Sequence, residues 1–264
     1  LVNATDGAVT THTVTVTDND ETSVTFAATS QSVTESTSAI GIAVTLSVAN
    51  ASDVTIPYTV SGSASGGSVD HSLDSGSLTI AAETTFSSIT AALNDDTLDE
   101  NDETIIVTME TASLVNAVEG AVTVHTVTLT DDDDPPTVSF VDAGQTLAEA
   151  AAGTVEVMLS GASGLDVTVP YTVTGTATGS ATDHDLGDGS FVIPAGSTTA
   201  SVDLTVTGDA LDELNETIVV SITTGALTNA SAGTTAVHTV TITDDDDPPA
   251  VAFTATEQTV TEAA

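Results

Sequence analysis

One interval governs this chain: matching segments recur 113 residues apart. His12-Thr-Val-Thr-Val-Thr-Asp18 returns as His125 to Asp131 and again as His238 to Asp244. At the same spacing Pro57-Tyr58-Thr-Val returns as Pro170-Tyr171-Thr-Val, Asp70-His71 as Asp183-His184, and Leu98-Asp99-Glu100 as Leu211-Asp212-Glu213. A fixed period of this length marks a tandem array in which each repeat is one folding unit. The register assigns residues 22–134 and 135–247 to two complete repeats. Residues 1–21 then read as the last strand and acidic tail of a preceding repeat, and 248–264 as the first strand of a following one. A lone strand leaves its backbone groups and apolar face unpaired. The chain is therefore expected to be a window on a longer array.

Inside each repeat the apolar residues alternate. In Thr123-Val124-His125-Thr126-Val127-Thr128-Leu129-Thr130, His125, Val127 and Leu129 share one face, and Thr126, Thr128 and Thr130 take the other. A period of two is the strand signature. Similar runs cover Ile40 to Val48, Val54 to Val60, Ser77 to Ile80, Phe86 to Leu93 and Thr104 to Met109, separated by Gly, Ser, Asn and Asp. Some seven or eight strands in ~110 residues predict an all-β fold of tandem immunoglobulin-like antiparallel β-sandwiches. No segment shows a helical period. Outward threonines suit a pleated surface and leave the strand faces neutral, so negative charge collects in the loops. His12, His125 and His238 fall in phase with the inward valines and read as half-buried structural residues rather than metal ligands.

The charge balance is one-sided: 39 Asp and Glu, no Lys and no Arg. Nothing in the chain can neutralise phosphate, which excludes nucleic acid as a partner and docking onto anionic lipid. Apolar runs stay well short of the roughly 18 residues of a membrane span, so no direct membrane insertion is expected of this segment. The absence of cysteine removes disulfides and thiolate metal sites. Aromatic residues are only 3% of the chain, so the cores must be built mainly from Val, Leu, Ile and Ala. Such cores are small, and no Ser-His-Asp arrangement stands out, so no enzymatic activity is expected. Asn3, Asn50, Asn215 and Asn229 begin Asn-X-Ser/Thr sequons, which a chain this rich in Ser and Thr produces by chance.

The loops carry the chemistry. Asn94-Asp95-Asp96-Thr97-Leu98-Asp99-Glu100-Asn101-Asp102-Glu103 precedes a strand, and Asp131 to Asp134 follow the last one. Loops at one pole of a sandwich converge, so separated acidic segments can share a site. Each carboxylate pair at ~4 Å costs on the order of 1 kcal/mol in water, and more when partly desolvated. Acidic loops can simply be solvated. Several such segments in register, with no basic partner, favour a bound cation instead. Calcium takes six to eight oxygen ligands, whereas magnesium prefers to keep its water.

Thr34-Glu35, Gly62-Ser-Ala64 leading to Asp70-His71, the Asp95-Asp96…Glu100…Glu103 run, and Val127-Thr-Leu-Thr-Asp131-Asp132-Asp133 together resemble the Calx-beta domain, over essentially the whole chain. The resemblance implies several calcium ions per repeat at the acidic end of each sandwich. It implies Glu35, Asp70, Asp95, Asp96, Glu100, Glu103, Asp131, Asp132 and Asp133 as ligands in the first repeat. In the second it implies Glu149, Asp183, Asp209, Glu213, Glu216, Asp244, Asp245 and Asp246. Two departures stand out. Gly208 occupies the position of Asp95, which predicts fewer or weaker ions in the second site. His71 and His184 replace the usual Tyr of an Asp-Tyr pair, a change expected in packing rather than ligation.

Between repeats, Asp131 to Asp134, Pro135-Pro136 and Val138 to Phe140 follow one another with almost no free linker. Proline fixes φ and lacks an N–H, so this joint is stiff and extended. The first junction, Asp18-Asn19-Asp20-Glu21-Thr22-Ser23, has no Pro and is one residue shorter, so its angle should be set differently. These features predict a calcium-rigidified rod or filament segment of a large extracellular, cell-surface protein of the bacterial adhesin type. Its partners would be neighbouring repeats of the same polypeptide and laterally or end-to-end associated copies. Two alternatives are a calcium-dependent glycan- or protein-binding adhesion module and a calcium-sensing regulatory domain.

Overall fold

A computed structural model describes residues 3–17 and 20–263. Leu1, Val2, Ala264 and the first-junction residues Asp18 and Asn19 lie outside the described residues. The chain divides into two compact units, Leu1–Asp95 with Asp102–Thr130, and Asp96–Asn101 with Asp131–Ala264.

The strands of the first unit are β1 (Ser23–Phe26), β2 (Ser30–Thr34), β3 (Ala39–Leu46), β4 (Val54–Gly62), β5 (Gly76–Ile80), β6 (Phe86–Ala92), β7 (Glu103–Met109), β8 (Val118–Glu119) and β9 (Val124–Thr130). They form a four-stranded sheet, β6-β3-β1-β8, and a five-stranded sheet, β2-β9-β7-β4-β5. The alternation read from the sequence sets the burial: after exposed Val124, β9 alternates buried and half-buried residues, with His125, Val127 and Leu129 inward. The core is aliphatic with one phenylalanine, Phe26, joined by Ile42, Ile56, Ile80, Ile105 and Leu129. Burying each such side chain contributes roughly 1.5–3 kcal/mol, so a core this short on aromatics still holds a sandwich together.

The second unit repeats the plan with β10 (Thr137–Phe140), β11 (Gly144–Ala148), β12 (Ala152–Leu159), β13 (Val167–Gly175), β14 (Gly189–Ile193), β15 (Thr199–Thr205), β16 (Glu216–Ile222), β17 (Ser231–Ala232) and β18 (Val237–Thr243). Its sheets are β15-β12-β10-β17 and β11-β18-β16-β13-β14. Phe140, Val155, Phe191, Leu204, Ile218 and Val240 lead its core. Among the described residues the only helical segments are the one-turn 3-10 helices Thr111–Ser113 and Thr224–Ala226.

Pairing is antiparallel with two systematic exceptions in each unit: the two-residue β8 runs parallel to β1, as β17 does to β10, and the strand after β1 pairs in parallel with the last one. The expected first strand is split: β1 belongs to one sheet and β2 to the other. Because β2 crosses before pairing, it runs parallel to the last strand β9, as β11 does to β18. The recurrent histidine pins this crossing. The Nδ1–H of His125 donates to Ala28 O at 2.8 Å, and that of His238 to Asp142 O at 2.7 Å. Both rings stack at a tilt on the strand before the crossing, against Phe26 and Phe140. These histidines are therefore fully rather than half buried, at 3% and 4% exposure. His12, in the same sequence phase, is exposed.

Residues 3–17 and 248–263 form no strand and are exposed throughout, Val16 at 89% and Phe253 at 98%. The two repeats also differ in one turn. Phe26 corresponds to Phe140 and Glu35 to Glu149, but Ile42 corresponds to Val155. The β2–β3 turn is thus one residue longer than β11–β12, which offsets the shorter first junction and restores the 113-residue period.

Candidate functional site

In the second unit, four loops and two strand ends meet at one pole. Glu149 follows β11, and its N–H donates to Thr243 O at 3.2 Å, so the turn is tied to the end of β18. Asp183 sits in the loop leaving β13. Its carboxylate accepts from the Thr178 N–H, and its own N–H returns to Thr178 O, which closes the loop on itself. Asp209 holds its turn by accepting the Leu211 N–H at 2.7 Å, and its N–H reaches Glu149 Oε2 at 3.4 Å. Glu216 opens β16, and Asp244 and Asp246 follow β18.

Glu149, Asp209 and Asp246 bring carboxylate oxygens within 4.8 Å of one another. A cleft of about 10 Å³, the room of one water-sized particle, is lined by Glu149, Asp183, Asp209, Glu213, Glu216 and Asp244, with Thr182 and Thr207 beside them. Seven of the eight carboxylates expected here therefore face the cleft or the cluster. The eighth, Asp245, is exposed between inward Asp244 and Asp246, because extended backbone alternates its side chains. Sequence reasoning missed Thr182 and Thr207, whose signal is their position next to Asp183 and two residues before Asp209. It also passed over Asp212, whose charge acts on Asp246.

The electrostatics of this pole are those of crowded, partly desolvated carboxylates. Desolvation pushes the Glu216 carboxyl above its ordinary value, and Asp183, Glu213 and Glu149 push it further the same way. Glu149 is raised by desolvation and then by Asp244, Asp209 and Asp246, against a lowering hydrogen bond from the Asp209 N–H. Desolvation raises Asp246, and the charges of Asp245, Asp244, Asp209 and Asp212 add to the effect. Asp244 Oδ1 and Asp246 Oδ2 are buried without a hydrogen-bond partner. Buried polar atoms are nearly always satisfied, so two orphaned carboxylate oxygens beside an ion-sized cleft fit a hard cation. An all-oxygen donor set suits calcium or magnesium rather than a transition metal.

These shifts set a pH dependence. A raised folded-state pKa means the folded protein binds protons more readily than the unfolded chain. The destabilisation is complete at neutral pH and is relieved as pH falls through the raised folded values towards the ordinary 4.5 of Glu and 3.8 of Asp. Asp185 opposes this, since the Thr205 N–H holds its carboxyl below the ordinary value. Chelator-treated protein is expected to unfold at higher denaturant concentration at pH 5 than at pH 7. A midpoint that falls monotonically with acidification contradicts this.

The expected ligands of the first repeat lie in both units. In the first unit, Glu35 is 7% exposed and its N–H donates to Thr130 O. Asp70 accepts the Ser65 N–H in a loop closed like that of Asp183. Asp95 is exposed, and Glu103 is half-buried at the start of β7. In the second unit, Asp96 accepts the Leu98 N–H at 2.7 Å, repeating the turn of Asp209. Burial raises the Asp131 carboxyl, opposed by backbone N–H groups of Glu100 and Asp133 and reinforced by Asp99 and Asp132. Glu100 is half-buried there, as are Asp131 and Asp133, with Asp132 exposed. At Gly208, the counterpart of Asp95, a Cβ would sit 3.0 Å from Ala150 Cβ and 3.1 Å from Ala150 N. The shorter β11–β12 turn thus occupies the space a side chain at 208 would need.

His71 and His184 are both 3% exposed. They support the loops that carry Asp70 and Asp183 through the bridges His71–Leu93 and His184–Val206.

A two-sheet sandwich with an acidic pole, duplicated in tandem, defines the class as a tandem β-sandwich array. The family profile of the Calx-beta domain matches residues 17–133 and again 131–246, and the chain belongs to the Calx-beta domain family. Solved structures similar to it include the calcium binding domain CBD12 of CALX1.1, at 20% identity and TM-score 0.40, covering 82% of this chain and 98% of that one. CBD12 from CALX1.2 matches at 18% identity and TM-score 0.40, covering 83% and 99%. The apo-form Calx CBD1 domain matches at 22% identity and TM-score 0.39, covering 43% and 100%. Comparison with curated protein sequences finds no match.

Proposed function

We propose that each repeat binds calcium at its acidic pole, and that the chain is a calcium-stiffened spacer of an extracellular surface protein, without catalytic activity. The supporting observation is the second-repeat cluster, in which Glu149, Asp209 and Asp246 oxygens lie within 4.8 Å beside the buried, unpartnered Asp244 Oδ1. Glu149, Asp183, Asp209, Glu213, Glu216, Asp244 and Asp246 would hold the metal, and Glu35, Asp70, Asp95, Asp96, Glu100, Glu103, Asp131 and Asp133 would do so in the first repeat. The ion supplies the positive charge that no side chain of this protein can. With domain limits at 22–134 and 135–247, the acidic run after the last strand of each repeat would adjoin a junction in sequence, which is how binding would reach the joint.

Calorimetric titration of chelator-stripped protein with calcium tests the binding. Saturable uptake is expected at submillimolar to millimolar calcium, the range of extracellular modules. Asp209→Asn should weaken the second-repeat site by at least about tenfold, since affinity follows ligand charge. Absence of binding at millimolar calcium sinks the reading. Small-angle scattering tests the spacer role, because a maximum dimension and flexibility unchanged by chelator would leave calcium no mechanical part.

A further inference from the structure

On the side of the loop that carries Asp183 or Asp70, next to the acidic cleft, both repeats carry the same groove. In the second it has a volume of about 280 Å³ and is lined by residues from Val173 to Gly179 and from His184 to Asp188. In the first it is about 210 Å³, from Val60 to Gly66 and from His71 to Ser75. The groove exists because the strand beside it stops early. Strand β14 pairs with β13 only from Val167 to Tyr171, while β16 continues along the other side from Tyr171 to Gly175. Among the described residues no strand neighbours the β13 edge beyond Tyr171, and β4 is left open in the same way beyond Tyr58.

Side chains stand in for the missing strand at one point. Asp188 Oδ1 accepts the Val173 N–H at 2.7 Å, and Ser75 Oγ accepts the Val60 N–H at 2.9 Å. The floor is the buried histidine. A Cβ at Gly179 would lie in van der Waals contact with that ring, 3.4 Å from His184 Cε1 and 3.7 Å from its Nε2, as one at Gly66 would with His71 Cε1. Each groove has one carboxylate, Asp188 or Asp74. Burial and then the Asp188 charge push the Tyr171 phenol up, and Asp74 acts likewise on Tyr58. With no Lys or Arg in the chain, the protein holds no permanently cationic side chain to set against Asp188 or Asp74.

We propose that each groove is a docking site for an extended peptide segment of a partner protein carrying a lysine or arginine. The segment lies along the open edge at Val173–Gly175 or Val60–Gly62 and sets its cationic group against Asp188 or Asp74. An exposed strand edge is a ready template for an added strand. Charge complementarity chooses the occupant: a second copy of this chain has no cation to offer, and an acidic peptide is repelled.

The test uses the full chain in excess calcium and physiological salt, which screens the acidic poles. The probe is an acetylated and amidated Thr-Val-Lys-Val-Thr peptide, with its Thr-Val-Glu-Val-Thr counterpart as control, and amide NMR is the readout. The lysine peptide is expected to shift the amides of Val60 to Gly66 and Val173 to Gly179. Asp188→Asn, which keeps an acceptor for the Val173 N–H, should weaken the second groove by about three- to fivefold, as for a partly exposed ion pair. The first groove, unchanged in that variant, reports that the chain is still folded, and Asp74→Asn should reverse the pattern. Equal shifts with the glutamate peptide, shifts confined to the acidic poles, or no shifts overturn the proposal.

Discussion

Stripping calcium is expected to lower the thermal midpoint of the second repeat by roughly 10–20 °C. A ligand at a hundred times its Kd stabilises the folded state by about 2.7 kcal/mol, and 1 kcal/mol shifts the midpoint of a domain near 100 residues by about 4–8 °C. The physical source is the pole itself. Glu149, Glu216 and Asp246 are each raised by desolvation and by like charges, so the folded metal-free state holds repulsion that the unfolded chain relieves. Bound calcium would remove that repulsion and would satisfy Asp244 Oδ1 and Asp246 Oδ2, which have no hydrogen-bond partner. Because the chain has two compact units, the melt should be resolved into two transitions rather than fitted as one. Calorimetry with and without chelator is the measurement, and magnesium at matched ionic strength is the control. Magnesium should recover only part of the loss, since it gives up its water reluctantly. Equal midpoints with and without calcium would mean that the orphaned oxygens are not a metal site.

Much of this was legible in the sequence, for reasons that particular residues show. The inward set His125, Val127 and Leu129 follows from alternation alone, because a strand offers only two faces. The acidic pole followed from the 113-residue register, which needs no geometry. Sheet switching was not legible: β2 pairs with β9, some 96 residues away, and nothing local in Ser30–Thr34 announces that neighbour. Asp245 was taken as a ligand with Asp244 and Asp246, although the same alternation that placed Val127 would have turned it outward. Gly208 was noticed as a missing carboxylate, but its cause is the Ala150 backbone pressed against it, a contact between separate loops. The recurrent Leu-Asp-Glu triplet gave its glutamates, Glu100 and Glu213, to the expected ligands, while its aspartates, Asp99 and Asp212, were passed over and lie in the electrostatic field of the poles.

Gly175→Ala is expected to unfold the second repeat selectively, at a cost of roughly 3–5 kcal/mol. Gly175 ends β13 with φ +141°, a conformation that L side chains rarely adopt, and a Cβ there would fall 2.0 Å from Thr217 O. That oxygen belongs to the β16 backbone and cannot move without breaking the pairing of Thr217 with Thr241. It also accepts the N–H groups of Thr176 and Ala177 as the chain turns from the sheet towards Asp183. The glycine therefore sets both the sheet and the entry to the metal loop, so the variant should lose the second-repeat thermal transition and its calcium uptake together. A domain stable by 5–15 kcal/mol would be left marginal or unfolded, while the first transition stays in place. Gly62 has φ +135° and the same 2.0 Å approach to Thr104 O, so Gly62→Ala should produce the mirror image. If either substitution leaves both transitions where they were, the backbone can relax around a Cβ at that corner. The close approach would then not be what fixes the glycine of the Gly62-Ser-Ala64 motif and its counterpart at 175.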